Sequence, residues 1–346
     1  MSKRTRRQTE TLRGAAPTDG GIDVSKDWLD VSAHCAGRVH EERFANTAAG
    51  HRQLLQWLRQ FRGAVRIVLE ATGIYSFDIA LALHAASYAV RVVTPRAARD
   101  FARALLQRTT TDKIAAATLR EFAARMPFVP WHPPATEIRE LRVVARRIAA
   151  VVAERAAEKN RLHALRATQD TPAVVLRDVA GNIRALTRRV AQLLRAATSL
   201  ITAHPALQRP YEQLRSIKGV GPASAVHLLG EVLVLPPDMS AKQWVAHAGL
   251  DPRWQQSGSS VQTVARISKQ GNSRLRAALF MPALVARRWQ PNVAAFGDQL
   301  AARQKRPLQV LAAIMRKLLH AIHGMFRTNT TFQGEKFFRI PVAEAA

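Results

Sequence analysis

Apolar residues early in the chain recur in short runs that predict β-strands. The longest pattern spans residues 20–34 (GGIDVSKDWLDVSAH), where aliphatic side chains alternate with polar ones after two glycines. Asp23 lies between Ile22 and Val24, so an alternating strand turns its carboxylate to the opposite face. An acid in such a strand is costly unless a partner neutralises it, and a divalent metal is one such partner. A solvated surface carboxylate is the alternative for Asp23.

The residues from 38 to 124 alternate between patterns typical of β-strands and patterns typical of α-helices. Residues 65–71 (VRIVLEA) form a continuously apolar run, which is typical of a buried strand. The order β-β-β-α-β-α-β-α predicts an α/β layer with a mixed sheet. The remaining strands are expected at 38–44 and 89–94, and the helices after Asn46 and at 74–86, 97–106 and 112–124.

The middle of the chain has the pattern of long helices. Residues 126–134 (MPFVPWHPP) contain four prolines and are expected to form a linker. Beyond them, apolar residues recur at alternating spacings of three and four in 138–152 and again in 183–200, with a break near 169–172. These segments predict either an antiparallel hairpin or a coiled coil with another subunit, which makes them candidates for dimerisation. An ordinary helical bundle fits the spacing equally well.

Glycines and basic residues mark the carboxy-terminal half. In LRSIKGVGPASAVHLLGEV, which begins at Leu214, Gly219 and Gly221 form a tight turn between two short helices. Such a helix-hairpin-helix lets the backbone beside Lys218 approach a phosphate, whereas a plain turn between helices is the alternative. Residues 251–272 are polar and carry Ser257, Ser259 and Ser260 around Gly258. The basic candidates for nucleic-acid contact there are Arg253, Arg266, Lys269, Arg274 and Arg276.

The charge balance favours a polyanionic partner. Lys and Arg number 52 against 25 Asp and Glu among 346 residues, which gives a formal net charge of +27. A nucleic acid would relieve the self-repulsion of such a chain. A genome that favours Arg and Ala codons is the alternative explanation, although it would not remove acids.

Other features narrow the class. A single cysteine, Cys35, excludes an internal disulfide framework and a zinc site built from cysteines. No apolar run approaches the roughly 20 residues of a membrane span. The basic residues before position 20 lack a following apolar segment, so we expect a disordered arm rather than a secretory signal. The expected location is the cytoplasm, in association with the nucleoid.

Three acids lie at the ends of predicted elements. Asp23 is in the first strand, Glu70 ends the buried strand, and Asp112 begins a helix after three threonines. In a mixed-sheet fold these points can meet at one edge, and clustered carboxylates suit Mg²⁺ with a phosphate substrate.

The motifs around these acids resemble one family. GIDVSK, LEATG (residues 69–73) and TTDKIAA (residues 110–116) resemble the DEDD-type transposases of insertion sequences, the bridge-RNA-guided recombinases related to the Piv invertase. IKGVGPASA, AGLDP, QSGSS and ISKQGNSRLRAAL resemble the family's carboxy-terminal transposase domain. The resemblance covers residues 20–327 and implies a RuvC-like first domain on an RNase H-like fold.

The pattern and the resemblance together divide the chain into six parts. We expect a disordered arm (1–19), a RuvC-like DEDD domain (20–125), a linker (126–136), a helical, coiled-coil-like dimerisation region (137–203), a mainly α transposase domain with the helix-hairpin-helix and the serine (204–327), and a loose tail (328–346).

The resemblance also assigns roles to residues. It implies that Asp23, Glu70 and Asp112 bind Mg²⁺ and that Ser257 becomes joined covalently to a DNA 5′ phosphate. Arg253, Arg266 and Lys269 are then candidates to stabilise the charge of the phosphorane. The implied partners are a guide RNA, donor and target DNA, and further copies of the chain. These copies would form dimers that pair into tetramers, with the acids of one subunit serving the serine of another.

The sequence departs from the family at one position. The family's pattern is TDxxDA, with a fourth acid three residues after the third, and here that position is Ala115. Acids at i and i+3 on a helix face the same ion, so the loss is expected to weaken Mg²⁺ binding and activity. Asp100 is a weaker substitute. Two rival functions therefore remain: a metal-dependent, structure-specific nuclease that needs no serine, and a non-catalytic nucleic-acid-binding protein.

Overall fold

The computed structural model describes residues 17–61, 63–71, 73–254, 256–257, 261–262 and 266–340. These residues form two compact units that divide between Pro133 and Pro134. Most of the expected amino-terminal arm, as far as residue 16, and the end of the tail lie outside the described residues. The arm as predicted extends too far, because Thr18 and Asp19 are buried in the first strand.

The first unit contains the predicted mixed sheet. Its strands are β1 (Thr18–Val24), β2 (Trp28–Cys35), β3 (Arg38–Ala45), β4 (Val65–Glu70) and β5 (Ala89–Val93), in the spatial order β3-β2-β1-β4-β5. β1, β2 and β3 pair in antiparallel fashion, whereas β4 pairs parallel to both β1 and β5. The long pattern of residues 20–34 is therefore two strands that meet at a turn.

Helices cover both faces of this sheet. They are α1 (Ala48–Leu58), α2 (Phe77–Ala85), α3 (Pro95–Ala104) and α4 (Asp112–Arg125). On one face Ile22, Leu29 and Ile67 pack with apolar side chains of α1 and α2. On the other face Val68 and Val93 pack with Leu119 and Phe122 of α4. Because alternate residues of each strand face opposite sides, residues 19, 21 and 23 of β1 all face α4.

The helix boundaries differ slightly from the predicted ones. The helix expected at 97–106 begins at Pro95, because the Thr94 side chain accepts a hydrogen bond from the amide of Ala97 and proline suits the first helical position. The helix expected at 74–86 begins at Phe77. In both cases the first residue of the helix is set by the turn before it and not by the pattern of apolar side chains.

The second unit is mostly helical. Its two longest helices, α5 (Thr136–Arg166) and α6 (Ala173–Ala203), pack against each other within the chain, as the hairpin alternative predicted. The shorter helices are α7 (Pro205–Arg215), α8 (Pro222–Val232), α9 (Ala241–Ala248), α10 (Ser273–Trp289), α11 (Pro291–Ala302), α12 (Pro307–Thr328) and α13 (Gly334–Phe337). None of the described helices is both long and apolar enough to cross a membrane.

The tail expected to be loose from Thr328 is ordered as far as residue 340. Phe337 of α13 is buried in the core of the second unit, and Phe332 and Phe338 pack against that core. The side chain of Gln213 donates hydrogen bonds to the carbonyls of Met325 and Thr330, which attaches the tail to α7. The prediction of a loose tail is wrong for these residues because aromatic side chains anchor it.

The glycines of the predicted helix-hairpin-helix lie between α7 and α8. Gly219 has a φ of +107°, and a Cβ there would lie 2.8 Å from the backbone of Pro282 and of Ala286 in α10. This glycine is required by packing against α10. Gly221 caps α8 and has open space around it, and Lys218 is exposed.

Gly21 sets the distance between β1 and α4. A Cβ there would overlap with the carbonyl oxygen of Ala116 and the amide nitrogen of Arg120. We predict that Gly21→Ala lowers the free energy of unfolding by about 2–3 kcal/mol, because α4 must move away from the sheet. Urea titration measures the change.

Gly20→Ala is the matched control. Its Cβ would approach the flexible end of Ile67 at 3.1 Å, so we expect a change within about 1 kcal/mol. Equal effects of the two substitutions would contradict the proposed close approach of α4.

Candidate active site

A row of charged side chains crosses the antiparallel half of the sheet. Asp23 of β1 is paired in register with Asp30 of β2, and Asp30 is paired in turn with Arg43 of β3. Residues paired in this way project from the same face with their Cβ atoms about 5 Å apart. Two carboxylates and a guanidinium therefore lie side by side on the face that α4 covers.

Glu70 and Asp112 approach the same row. In the parallel pairing of β1 with β4, Ile22 is opposite Leu69, so the next step along both strands brings Glu70 beside Asp23. Asp112 is the first residue of α4, whose start is fixed by the Thr111 side chain accepting a hydrogen bond from the amide of Ile114. The three acids that the sequence indicates thus lie at one edge of one face.

Arg43 is the cation of this group. Its Nε donates to Oδ1 of Asp30 at 2.9 Å and its Nη2 donates to Oδ2 at 3.0 Å, which is a bidentate ion pair. Nη2 also reaches Oδ2 of Asp112 at 3.5 Å. Asp30 is 3 % exposed, so the pair offsets the cost of burying its charge. The pKa of Arg43 is raised by its hydrogen bond to Asp30 and by the neighbouring carboxylates.

Asp23 has the opposite electrostatic environment. Burial raises its pKa to about 6, with further contributions from the negative charges of Asp112, Glu70 and Asp30. Burial also raises the pKa of Glu70, although Arg99 opposes that shift. A carboxylate that is costly to ionise beside other carboxylates is stabilised by a bound cation.

The donor chemistry of this edge suits a hard divalent cation. Carboxylate oxygens are the ligands that such ions prefer. Among the residues that the structure describes, however, no three acidic, histidine or cysteine side chains stand close enough together to enclose an ion. Arg43 engages Asp112 and Asp30 instead, which leaves Asp23 and Glu70 without a cationic hydrogen-bond partner in the described hydrogen bonds.

Ala115 and Asp100 occupy separate positions. Ala115 is one turn along α4 from Asp112 and is half-buried. Asp100 lies on α3, where it forms ion pairs with Arg96 at 3.2 Å and Arg103 at 3.8 Å. Asp100 thus has cationic neighbours of its own, and it is not among the groups whose charges raise the pKa of Asp23.

Sequence reasoning missed Asp30 and Arg43. Polar residues alternate with apolar ones along β2 (WLDVSAHC), whereas β3 (RVHEERFA) is mostly polar and exposed and shows no such alternation. Alternation alone indicates a solvated face, and the register that brings Arg43 to Asp30 and Asp30 to Asp23 is not readable from either strand.

Ser257 lies in the second unit, on a paired segment. Pro252–Arg253 pairs with Arg266–Ile267, and Gln256–Ser257 pairs with Val261–Gln262. Ser259 and Ser260 lie outside the described residues. At the base of the segment, the Ser268 hydroxyl donates to Oδ1 of Asp251 at 2.5 Å and its amide donates to the Asp251 carbonyl at 2.8 Å.

A buried ion pair anchors the carboxy-terminal end of this segment. Glu231 of α8 is fully buried and accepts hydrogen bonds from Arg146 of α5 at 2.7 Å and from the Asn272 amide at 2.7 Å. Arg142 adds a longer ion pair at 3.6 Å. Burial raises the pKa of Glu231, but the bonds and charges of these partners outweigh it and leave the pKa below its usual range. Asn272 also caps α10.

The basic candidates differ in what they contact. Arg276 donates to the carbonyl of Ala248 at 2.9 Å and is half-buried, so it supports the turn at Gly249. The other five are exposed and have room for a nucleic acid: Lys218, Arg253, Arg266, Lys269 and Arg274.

The mixed sheet with acids gathered on one face is consistent with a DEDD-type nuclease fold. Two family models match the chain: an IS110 transposase model of the DEDD type at residues 20–169, and the transposase IS116/IS110/IS902 family at residues 211–298. The chain belongs to the IS110 family of transposases. This membership implies DNA recombinase or transposase activity on DNA substrates, and it suggests a divalent metal ion.

Individual relatives extend the match. The chain is 29% identical to the pilin gene-inverting protein of Moraxella bovis over 317 residues, which cover 90% of this chain and 96% of the relative. The pilin gene-inverting protein of Moraxella lacunata is similar to the same extent. The insertion element IS110 uncharacterized 43.6 kDa protein of Streptomyces coelicolor is 26% identical over 160 residues, which cover 46% of this chain and 38% of that protein.

The raised pKa of Asp23 predicts a pH-dependent effect of Asp23→Asn. A folded-state pKa of about 6 against an ordinary value of 3.8 means that the ionised carboxylate destabilises the fold above pH 6. In the absence of divalent metal, we expect Asp23→Asn to raise stability near neutral pH by about 1–2 kcal/mol, a value reduced for solvent screening. The gain disappears as the pH falls to 3.8, and thermal unfolding across this range measures it.

Asp27→Asn is the control, since Asp27 is exposed in the turn after β1. A gain for Asp23→Asn that does not vary with pH, or an equal gain for Asp27→Asn, would contradict the electrostatic cause.

The buried ion pairs of Glu231 predict that removing its charge lowers the free energy of unfolding. Glu231→Gln leaves Arg146 and Arg142 beside a neutral group, so we expect a loss of about 2–4 kcal/mol in the free energy of unfolding. Glu212→Gln on α7 removes an exposed acid whose nearest cation is 3.9 Å away, and should cost less than about 0.5 kcal/mol. Urea titration measures the free energy of unfolding of both variants. Losses of similar size would contradict a larger contribution from the buried ion pair than from the exposed acid.

Proposed function

We propose that this chain is an RNA-guided DNA recombinase or transposase of an insertion sequence that works through a covalent 5′-phosphoserine intermediate. What supports the proposal is the arrangement of Asp23, Glu70 and Asp112 on one edge of the sheet, in a chain whose family acts on DNA. The position of Ser257 on a paired segment with an anchored base adds to it.

The proposed reaction conserves the phosphodiester bond energy. The Ser257 hydroxyl oxygen attacks the phosphorus of a DNA strand, and a nearby base takes the hydroxyl proton. The bond from phosphorus to the 3′ oxygen breaks, the 3′ hydroxyl leaves with a proton, and the 5′ phosphate stays on serine. The 3′ hydroxyl of another strand then attacks this phosphate, and serine regains its proton. Strands are exchanged without an external energy source.

The acids have the supporting role in this scheme. Asp23, Glu70 and Asp112 would hold Mg²⁺, which supplies charge stabilisation on the phosphate oxygens when bound. Arg43 neutralises the charge of Asp30 and so reduces its repulsion with Asp23, which stabilises this edge of the sheet. Exposed Arg253, Arg266 and Lys269 are the proposed partners of the phosphorane charge.

Ala115 reduces the activity in this proposal. The position one turn after Asp112 carries a methyl group where the family's pattern has a carboxylate. With three acids and the Arg43 cation at the edge, the site attracts a divalent ion less strongly than one with four acids. We therefore expect cleavage that is slow or absent, while the fold and nucleic-acid binding persist.

Assembly completes the proposed site. The acids belong to the first unit and Ser257 to the second. The resemblance to the family implies that the acids of one subunit serve the serine of another, in a tetramer of paired dimers. The hairpin of α5 and α6 presents exposed basic residues along its length and is the proposed dimerisation element. Part of the excess positive charge of the chain would bind the phosphates of a guide RNA.

DNA inversion is a second candidate. It is favoured by the pilin gene-inverting proteins, which match 90% of this chain. Inversion and transposition share the same strand exchange and differ in where the two DNA sites lie. The rival, a metal-dependent, structure-specific nuclease, needs no serine, so a covalent adduct between protein and DNA would count against it.

The test uses denaturing gels of the full chain with end-labelled donor and target DNA, Mg²⁺ and the non-coding RNA of the element. We predict that Ala115→Asp raises the yield of a protein-sized DNA adduct at least tenfold, because a fourth carboxylate strengthens metal binding. The adduct disappears when Ser257→Ala is added.

Ser259→Ala and Ser260→Ala in the Ala115→Asp background are the matched controls and should keep the adduct. Free 5′ phosphate ends without an adduct would favour a nuclease. If neither the unsubstituted chain nor the Ala115→Asp variant cleaves DNA although both bind RNA and DNA, the chain is a non-catalytic nucleic-acid-binding protein.

A further inference from the structure

An exposed tryptophan lies on the same face as the acids. Trp28 begins β2 two residues before Asp30, so the two side chains project from the same side of the sheet. The Trp28 side chain is 47% exposed, whereas the intervening Leu29 is fully buried on the opposite face. The indole therefore lies beside the middle of the charged row, two residues along β2 from Asp30.

The backbone that carries this indole is fixed. The Ser25 amide donates to the Trp28 carbonyl at 2.9 Å, and the Ser25 hydroxyl donates to the same carbonyl at 3.0 Å. The Trp28 amide donates to the Ser25 hydroxyl oxygen at 3.1 Å. On its other side Trp28 is paired in register with Ala45 of β3. A rigid aromatic surface loses little conformational entropy when it binds a flat ligand.

Arg43 lies over one side of the ring. Its guanidinium carbon is 5.8 Å from the centre of the Trp28 ring, while its nitrogens bind Asp30 and Asp112. The guanidinium therefore joins the aromatic surface directly to the acidic edge. It also brings positive charge that favours an anionic polymer.

Two further apolar side chains surround the same end of the sheet. Ile74 is 79% exposed and Tyr75 is 42% exposed in the loop after β4. The Asn46 amide donates to the carbonyls of Ser25 and Tyr75, at 2.8 and 3.2 Å, and so connects this loop to the turn before Trp28. We call Trp28, Arg43, Ile74 and Tyr75 the aromatic edge.

We propose that the aromatic edge binds an unpaired base of the DNA strand, next to the phosphate that the acids address, with Trp28 as the stacking surface. Every base has a π-face, so stacking is independent of sequence, whereas bases within a duplex already stack on their neighbours. The net charge of +27 and the family's DNA substrates favour a nucleic-acid strand over another apolar ligand. The proximity of a scissile phosphate rests on the proposed function.

The test measures binding and needs no cleavage. The full chain is titrated, in EDTA, with a fluorescent single-stranded oligonucleotide and with the same strand annealed to its complement. We predict that Trp28→Ala weakens single-strand binding about 5- to 100-fold and leaves duplex binding nearly unchanged. Trp28→Phe keeps an aromatic face and should lose less. The slope of affinity against salt should stay the same, since no phosphate contact is removed.

Trp289→Ala is the matched control. Trp289 of the second unit is 62% exposed and has Arg288 at 5.1 Å from its ring, so it is also a cation-bearing exposed indole, but one remote in sequence from the acids. We expect it to bind single strands normally. An equal loss in this control, or an equal loss for duplex, would overturn the proposal.

Two measurements on the unsubstituted chain keep the proposal testable if Trp28→Ala fails to fold. Photocrosslinking with a single strand that contains 4-thiothymine should yield an adduct on the peptide of Trp28, and adducts confined to other peptides would overturn it. An RNA strand of the same sequence that binds more tightly and competes for the Trp28 adduct would show that RNA, and not DNA, is the occupant.

Discussion

The ion pair between Arg43 and Asp30 is the interaction around which the acidic edge of the first unit is arranged. The sheet pairs Asp30 in register with Asp23 and buries it, and two neighbouring carboxylates on one face would repel each other. The bidentate bond from Arg43 neutralises one of them and leaves the other with its raised pKa. The absence of a Cβ on Gly21 lets α4 approach, so that Asp112 reaches the same guanidinium. Arg43 and Gly21 therefore both contribute to the arrangement of the acidic edge, within the register that the sheet sets.

The second unit also neutralises a buried carboxylate, with a different set of partners. Glu231 has no exposure to water, and its charge is balanced by arginines of α5 and by the amide of Asn272. Since Asn272 also caps α10, one buried carboxylate joins three helices where the segment of Ser257 ends. In a chain with 25 acids and 52 basic residues, the few acids that are buried have structural consequences out of proportion to their number.

The sequence was sufficient for local features and insufficient for those that depend on register. The strands, the mixed sheet and the break between the two long helices follow from periodicity and from prolines. Asp23 stood out as an acid within an apolar strand, Glu70 as the end of a buried strand, and Asp112 as the start of a helix. Asp30 and Arg43 did not, because their meaning comes from pairing across three strands. Gly219 suggested phosphate contact by its motif, yet its close neighbour is the backbone of α10. Phe337 gave no local sign that the tail is packed.

Ala115 is best understood through the charge balance of the edge. A fourth carboxylate one turn after Asp112 would add repulsion that a cation must relieve, and would do so where α4 already presents Asp112 to Arg43. Without it, a single guanidinium can engage Asp30 and Asp112 together, which stabilises the edge in the absence of a metal ion. In the proposed function, a divalent ion would have to compete with Arg43 for Asp112, while burial raises the pKa of Asp23 and of Glu70. Under the proposed function, Ala115 is thus expected to lower affinity for the ion while Arg43 keeps its ion pairs with Asp30 and Asp112.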